Sequence, residues 1–410
     1  MKTAIVLGGT APHIELIEEL QRRGYYVVLV DYFENPPAKA YANEHVREST
    51  LDKDTVLRIA AEKNAELVIA SSVDQANIVC CYVAEKLGLP HPYSYQTADL
   101  VTVKTEMKRV MRDHEIPTSW FIPVDDVQDV DWSKVTYPAV VKPVDCNGSK
   151  GVRRVEDASE AQRYLAEAVG LSRSGKAIIE GFVEGKEIQV DCFAEDDGAV
   201  VLLTRQKKQF RRDSGEEMNS EGSILPAPVC DENVSRQTAE IATKIARAFH
   251  LRNTPFFYQA IVDKSGAVQV LELAARIGGG LSGYILKNIV GIDMVKLIVD
   301  SYFGTAELPR LTALKHLYST NLLYMNDGIF DHISGFEEAK RENLVLETFV
   351  TKERGARVEG RLQSRNRVGA FIVQADTMKE LTQKENAAYQ LIRVFDADGV
   401  QQMKRIEKDQ

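Results

Sequence analysis

The chain has 410 residues, 44% of them hydrophobic and 27% charged, with a formal net charge of −9. That length holds two to four structural units with ample core, and the composition is ordinary for a soluble globular protein. The acidic balance argues against nucleic acid or an anionic membrane as the main partner, and no apolar run approaches the roughly 18 residues of a membrane span. The N-terminal stretch MKTAIVLGGTAPH leads into an acidic helix pattern without a small-residue cleavage site, so it reads as a first strand and not as a signal peptide. Cys80, Cys81, Cys146, Cys192 and Cys230 show neither CxxC nor zinc spacing, which predicts a reduced, cytoplasmic setting.

Strand and helix signals alternate from the start. Residues 3–8 and 26–31 read as strands around a helix over 14–23. A helix over 52–63 then leads to a strand over 67–71 and a helix over 74–87, closed by Gly88 and Pro90. Such alternation predicts a parallel, doubly wound sheet. The Gly8–Gly9 turn and Asp31 at the end of the second strand invite a dinucleotide reading. GGTAPH lacks the third glycine of GxGxxG, however, and NAD is not expected there.

A helix pattern over 102–114 and a loop through Pro117 and Pro123 follow, then strands over 139–142, 177–180, 187–194 and 200–204. Residues 206–222 are polar and charged, with few apolar positions, and read as a mobile loop carrying Lys207, Lys208, Arg211 and Arg212. A helix over 233–250 precedes strands over 256–263 and 267–273, joined by a Lys-Ser-Gly turn. After Gly291 a helix runs to Phe303, Gly304 and Pro309 mark a boundary, and the last hundred residues mix strands with one helix near 378–385. Arg354, Arg357, Arg361, Arg365 and Arg367 cluster in that last part. A solvated face or strand edge explains such a run more often than an oligomer contact or an anionic ligand does.

Residues 267–283, AVQVLELAARIGGGLSG, carry the strongest chemical signal. Glu272 at a strand end can hold a hard cation, and Arg276 beside it can neutralise a transferred phosphoryl group. Gly278, Gly279 and Gly280 let backbone N–H groups approach an anionic ligand. Lys104 opens a helix, and Lys142 ends the strand in YPAVVKP, where a lysine is unusual because such strands are covered on both faces. The following Asn147-Gly148-Ser149-Lys150-Gly151 can fold its N–H groups over phosphates, although an ordinary hairpin turn has the same composition. In AIIEGFVEGKE, Glu180 can accept from an adenine amino group, the backbone at Phe182 and Val183 offers a donor and an acceptor, and Glu187 opens the next strand; taken in isolation, this segment fits a hairpin with solvated carboxylates better. His13 and Asp74 both start helices after strand ends, where ligands sit in such sheets.

Taken in this order, the motifs resemble the ATP-grasp superfamily, closely over residues 1–305 and loosely beyond. The resemblance implies an α/β protein with an N-terminal pre-ATP-grasp domain over 1–98 and an ATP-grasp domain over 99–305, its lid near 118–184. An α+β part over 306–410 would complete the core. It implies that Lys104 and the catalytic Lys142 bind ATP phosphates under a lid loop of Gly148, Ser149 and Gly151, that Glu180, Phe182 and Val183 take adenine, and that Glu187 lies near the ribose or phosphates. Glu272 would ligate Mg²⁺, with Mn²⁺ able to substitute, and Arg276 would stabilise the phosphoryl group and an acyl phosphate. Residues 206–222 would close over the site, and Arg205, Gly279, Gly280, His13 and Asp74 would be substrate contacts along with Arg276. The sequence departs from the pattern at two places. Gln259 stands where the family has its first metal carboxylate, as in carbamoyl phosphate synthetases, and Ala274 replaces a frequent asparagine.

The Arg-Ile-Gly-Gly-Gly form looks like the amino-acid and dipeptide ligase branch. The leading expectation is therefore an ADP-forming carboxylate–amine ligase. Its substrates would be a small carboxylate, expected to be an amino acid, and an amine, in a homodimer such as family members often form. A bicarbonate-using carboxylase or carbamoyl phosphate-type enzyme is an alternative, as is a nucleotide-binding protein without turnover.

Overall fold

The runs Lys2–Leu7 and Tyr25–Val30 are apolar along almost their whole length, as strands covered on both faces must be. In the computed structural model, which describes residues 2–71, 73–146, 150–209, 220–360 and 362–404, they form the centre of a parallel four-stranded sheet. Its order is Glu44–Val46, Tyr25–Val30, Lys2–Leu7, Ala65–Ile69. The helix Asp74–Leu87 follows the last strand and ends at Gly88 in the left-handed conformation, φ 65°. Gly9 N–H donates to Asp31 Oδ2 at 2.7 Å, and a Cβ on Gly9 would stand 2.5 Å from Pro36. The glycine turn is thus closed by the chain's own residues, in keeping with the missing dinucleotide fingerprint.

A second sheet is antiparallel: Phe121–Val124, Ala177–Gly181, Ala139–Pro143 and Arg153–Val155, in that order. The helix Ala158–Leu171 covers it, capped by Asp157, whose side chain accepts from Glu160 N–H. Sequence reasoning missed this helix, although the Asp157–Glu160 spacing is the usual N-terminal signature.

The largest sheet has eight strands. It runs Val268–Ala274, Thr254–Asp263, Gly185–Ala194, Ala199–Gln209, Ser220–Leu225, Leu317–Tyr324, Arg367–Ala375, Glu347–Val350. Three strands after residue 306 extend the sheet that begins at the Glu272 hairpin, and the helix Met378–Leu391 packs on two of them. Arg357–Val358, Gly328–Ser334 and Arg393–Asp396 form a separate three-stranded antiparallel sheet. Residues 206–209 and 220–222 of the stretch expected to be a loop belong to the eight-stranded sheet, while the rest of it, with Arg211 and Arg212, lies outside the described residues. Lys207 and Lys208 misled the reading because both are satisfied inside the sheet. Lys207 binds Glu187, and Lys208 donates to Ser319 Oγ at 3.0 Å, Asn321 Oδ1 at 2.6 Å and Glu385 Oε1 at 2.9 Å. No helix among the described residues is long and apolar enough to cross a membrane.

His13, in the first turn of the helix Pro12–Arg22, is 0% exposed. Its ring packs on Gly8, and Nδ1 lies 2.9 Å from Thr10 Oγ1. Burial lowers its pKa from 6.5 to about 4, outweighing the upward pull of Thr10 and Asp31. Below pH 6.5 the unfolded chain takes up a proton that the folded one refuses, so this contribution to stability is complete above that pH and shrinks as the pH falls toward 4. Urea unfolding at pH 7 and pH 5 should therefore show a loss of about 2 kcal/mol that is missing from a His13→Gln chain.

Candidate active site

Glu272 and Gln259 face each other across the antiparallel pair Thr254–Asp263 and Val268–Ala274, next to a register shift at Gln259/Ala260. With its amide nitrogen toward Glu272, Gln259 donates to Oε1 at 3.2 Å, and its oxygen accepts from Lys207 Nζ at 3.1 Å. Lys104, at the start of the helix Lys104–Asp113, donates to Cys146 O at 2.7 Å and lies 3.9 Å from Glu272 Oε2. Burial pushes the Glu272 carboxyl up, but Lys104, Lys142 and Lys207 outweigh it and hold the pKa below the usual range. Glu272 is consequently ionised at neutral pH, and its side chain is 37% exposed. No cluster of three or more His, Cys, Asp or Glu forms a metal cage among the described residues. One accessible carboxylate fits Mg²⁺, which keeps several waters and is commonly bound by one or two carboxylates plus substrate phosphates.

Behind this hairpin lies a buried charge cluster. Glu180 is 3% exposed and sits between two ammonium groups, Lys142 at 2.8 Å and Lys108 at 3.2 Å. Lys108 is 1% exposed and also donates to Thr118 Oγ1 at 2.6 Å. Burial raises the Glu180 pKa, but the two lysines outweigh it and leave it lowered. Burial also lowers Lys108, whereas at Lys142 the attraction of Glu180 and Glu272 prevails and the pKa is raised. Lys108 was not anticipated, although its spacing of four from Lys104 places both on one helix face.

The glycine loop is held from three sides. Arg276 grips Asp74 with two bonds of 2.6 Å, Nε to Oδ1 and Nη2 to Oδ2, and its Nη1 donates to Ile277 O at 2.9 Å. Burial opposes the charge on Arg276, but Asp74 outweighs it and raises the pKa. Asp74 therefore serves as the partner of Arg276 in this structure. Tyr93 fixes the preceding turn by donating to Ala275 O at 2.8 Å. On the far side, Arg205 Nη2 donates to Asp191 Oδ1 at 3.1 Å and to Ser282 Oγ at 2.9 Å, and Gln189 Nε2 donates to Asp191 Oδ1 at 2.9 Å. A Cβ on Gly278 would stand 2.5 Å from Gln189 Nε2 and 2.6 Å from Ser282 Oγ, so a side chain there would displace these two groups. Gln189 and Asp191 alternate along one strand face, a placement that sequence alone did not connect to the loop.

A cavity of about 430 Å³ joins these parts. Of the expected residues, Lys104, Gln259, Glu272, Arg276, Gly279, Gly280, Asp74 and Arg205 line it. Lys142 and Glu180 stand behind it, and Glu187 reaches it through Lys207, which is a lining residue. Phe182 and Val183 are not among the lining residues, and the Phe182 N–H is already donated to Pro138 O at 3.2 Å. His13 does not line the cavity either. Gly148 and Ser149 lie outside the described residues, whereas Gly151 adopts φ +73°, and a Cβ there would stand 2.8 Å from Leu171 and 3.0 Å from Pro143. Glu180→Gln leaves the two buried lysines without their counter-charge. Denaturant titration should register a loss of about 3–5 kcal/mol, and a loss under 1 kcal/mol would contradict the buried cluster.

Residues 135–283 match the model of the ATP-grasp domain, and residues 321–395 match that of the L-amino acid ligase C-terminal domain 2. The carbamoyl phosphate synthase large chain of Thermoanaerobacter pseudethanolicus is 25% identical over 214 residues, 52% of this chain and 19% of that one. The chain thus spans about a fifth of that relative's length. The formate-dependent phosphoribosylglycinamide formyltransferase of Ignicoccus hospitalis is 27% identical over 282 residues, 67% of this chain and 69% of that protein. Among solved structures, the L-amino acid ligase from Bacillus licheniformis superposes with a TM-score of 0.78 at 21% identity, covering 97% of this chain and 99% of that one. The chain carries an ATP-grasp domain followed by a domain of the L-amino acid ligase type.

Proposed function

We propose that the protein is an ATP-dependent carboxylate–amine ligase that makes an amide or peptide bond through an acyl phosphate, with an amino acid as one substrate. The observation that carries this reading is one cavity in which an ionised Glu272, the Lys104 ammonium 3.9 Å away and the Arg276 glycine loop meet. Phosphoryl transfer needs alignment and charge neutralisation more than covalent help, and these are the groups on offer.

In this reading Glu272 would hold Mg²⁺, which supplies charge neutralisation on the nucleotide phosphates when bound. Lys104 holds the phosphates, Lys142 adds positive charge from behind the cavity wall, and Gln259 keeps Lys207 beside Glu272. With the Phe182 N–H engaged by Pro138, a backbone donor to adenine comes from Val183. A carboxylate oxygen of the acid attacks the γ-phosphorus, the bond from that phosphorus to the bridging oxygen breaks, and ADP leaves. The amine nitrogen then attacks the acyl carbon. A C–N bond forms, the C–O bond to phosphate breaks, phosphate departs and the amine loses its proton to solvent. Arg276, oriented by Asp74, turns Nη1 away from that carboxylate and stabilises the phosphoryl charge as it passes to the acid.

With Mg-ATP, hydroxylamine as amine and a panel of amino acids, other carboxylic acids and bicarbonate, we expect ADP together with an acyl hydroxamate of one acid. Glu272→Ala should abolish the reaction, and Arg276→Ala should slow it about 10²–10³-fold. AMP in place of ADP overturns the acyl phosphate, and ADP formed with bicarbonate alone transfers the reading to a carboxylase.

A further inference from the structure

One turn after Lys104, the helix Lys104–Asp113 buries a second lysine that the proposed chemistry does not use. Lys108 is 1% exposed and is not a lining residue of the cavity, so its ammonium does not meet a ligand there. Its Nζ donates to Thr118 Oγ1 at 2.6 Å, points to Val270 O at 3.5 Å and lies 3.2 Å from Glu180 Oε2. The Thr118 hydroxyl itself donates to Val270 O at 2.7 Å, so all three neighbours of Nζ present acceptors. Three acceptors match the three N–H groups of an ammonium, whereas a neutral amine would turn a lone pair on one of them. A charge this deep needs a counter-charge, and Glu180 supplies it.

Glu180 is shared. Val140 pairs with Glu180 in the antiparallel sheet, so Lys142, two residues on, projects from the same face, and its Nζ lies 2.8 Å from Glu180 Oε1. Among the described residues Glu180 is the one ion-pair partner of Lys142. Two ammonium groups around one carboxylate leave a single positive charge behind the cavity wall. Burial opposes both ammonium charges, while Glu180 and, across that wall, Glu272 favour them. The cluster and the cavity therefore act on each other electrically. Without Lys108, Lys142 and Glu180 would form a neutral pair, and the cavity would face a dipole in place of a charge.

Resting on the nucleotide part of the ligase reading, we propose that Lys108 neutralises Glu180 so that the charge of Lys142 stays available to the nucleotide phosphates. Lys108 is thus a positioning residue that acts through Glu180 and never touches the ligand. What matters is the sum of the cluster, and removing Lys108 and Glu180 together preserves it.

The test compares the parent, Lys108→Met and the double variant Lys108→Met/Glu180→Gln. Calorimetry gives the Kd of Mg-ATP, and displacement of a fluorescent adenine nucleotide gives that of adenosine, which carries no phosphate. Lys108→Met should weaken Mg-ATP about tenfold or more and leave adenosine within about twofold. The double variant should bring Mg-ATP back to within about threefold of the parent, since the charge of Lys142 is again uncancelled. If the single variant does not fold, the double variant decides, because it buries no unpaired carboxylate. Mg-ATP bound by Lys108→Met as by the parent, equal losses for ATP and adenosine, or a double variant still about tenfold weak each overturn the inference alone. A parent that binds no Mg-ATP overturns the ligase reading and this inference together.

Discussion

The bidentate pair of Asp74 and Arg276 joins residues 202 positions apart and sets how the N-terminal sheet meets the central one. Asp74 opens the helix that follows the strand Ala65–Ile69, and Arg276 opens the glycine loop after Val268–Ala274. Two parallel bonds between planar groups fix orientation as well as distance, which a lysine could not do. Removing both charges from water costs much of what their attraction returns, so the pair matters for geometry more than for stability. Neighbouring neutral contacts reinforce it. Tyr302 exchanges hydrogen bonds of 3.2 Å with both the N–H and the carbonyl of Ala70, and Tyr93 holds Ala275 O.

Around that junction the chain confronts an electrostatic difficulty: the cavity gathers cations that repel one another. The structure answers by giving them carboxylates of its own. Arg205 has Asp191, Lys207 has Glu187, Arg276 has Asp74, and Lys142 shares Glu180 with Lys108. Glu272 serves in another way, since Lys104, Lys142 and Lys207 keep it ionised while it stays accessible. The same residues that organise the pocket thus keep one carboxylate ionised and accessible.

Much of the fold was legible because strands covered on both faces and amphipathic helices leave periodic signals. The elements up to Leu87 and the hairpin carrying Gln259 and Glu272 follow their sequence patterns closely. Reading failed where polar residues are buried but satisfied: Lys207 and Lys208 lie in a strand that composition alone assigns to a loop. The site was legible residue by residue and not in its connections. Asp74 and Arg276 were both singled out as candidate contacts, yet only coordinates reveal that they bind each other. Lys108, Gln189 and Asp191 contribute through neighbours distant in sequence, and His13, well placed on paper, is enclosed against Gly8.

The buried knot beneath the strand Ala199–Gln209 bears on how such a chain can diversify. Lys208 reaches Ser319 and Asn321 on one strand and Glu385 on the helix Met378–Leu391, while the intervening Thr320 faces the cavity. One β-strand therefore wears its wiring on one side and its pocket wall on the other. Recombination that brings in a foreign C-terminal segment must import Ser319, Asn321 and Glu385 as a set compatible with Lys208, or strand a lysine in the interior. Thr320 is tied to Ser223 on the neighbouring strand, whereas a single exchange at Leu322 does not touch the Lys208 knot, so that part of the wall can drift while the knot stays fixed.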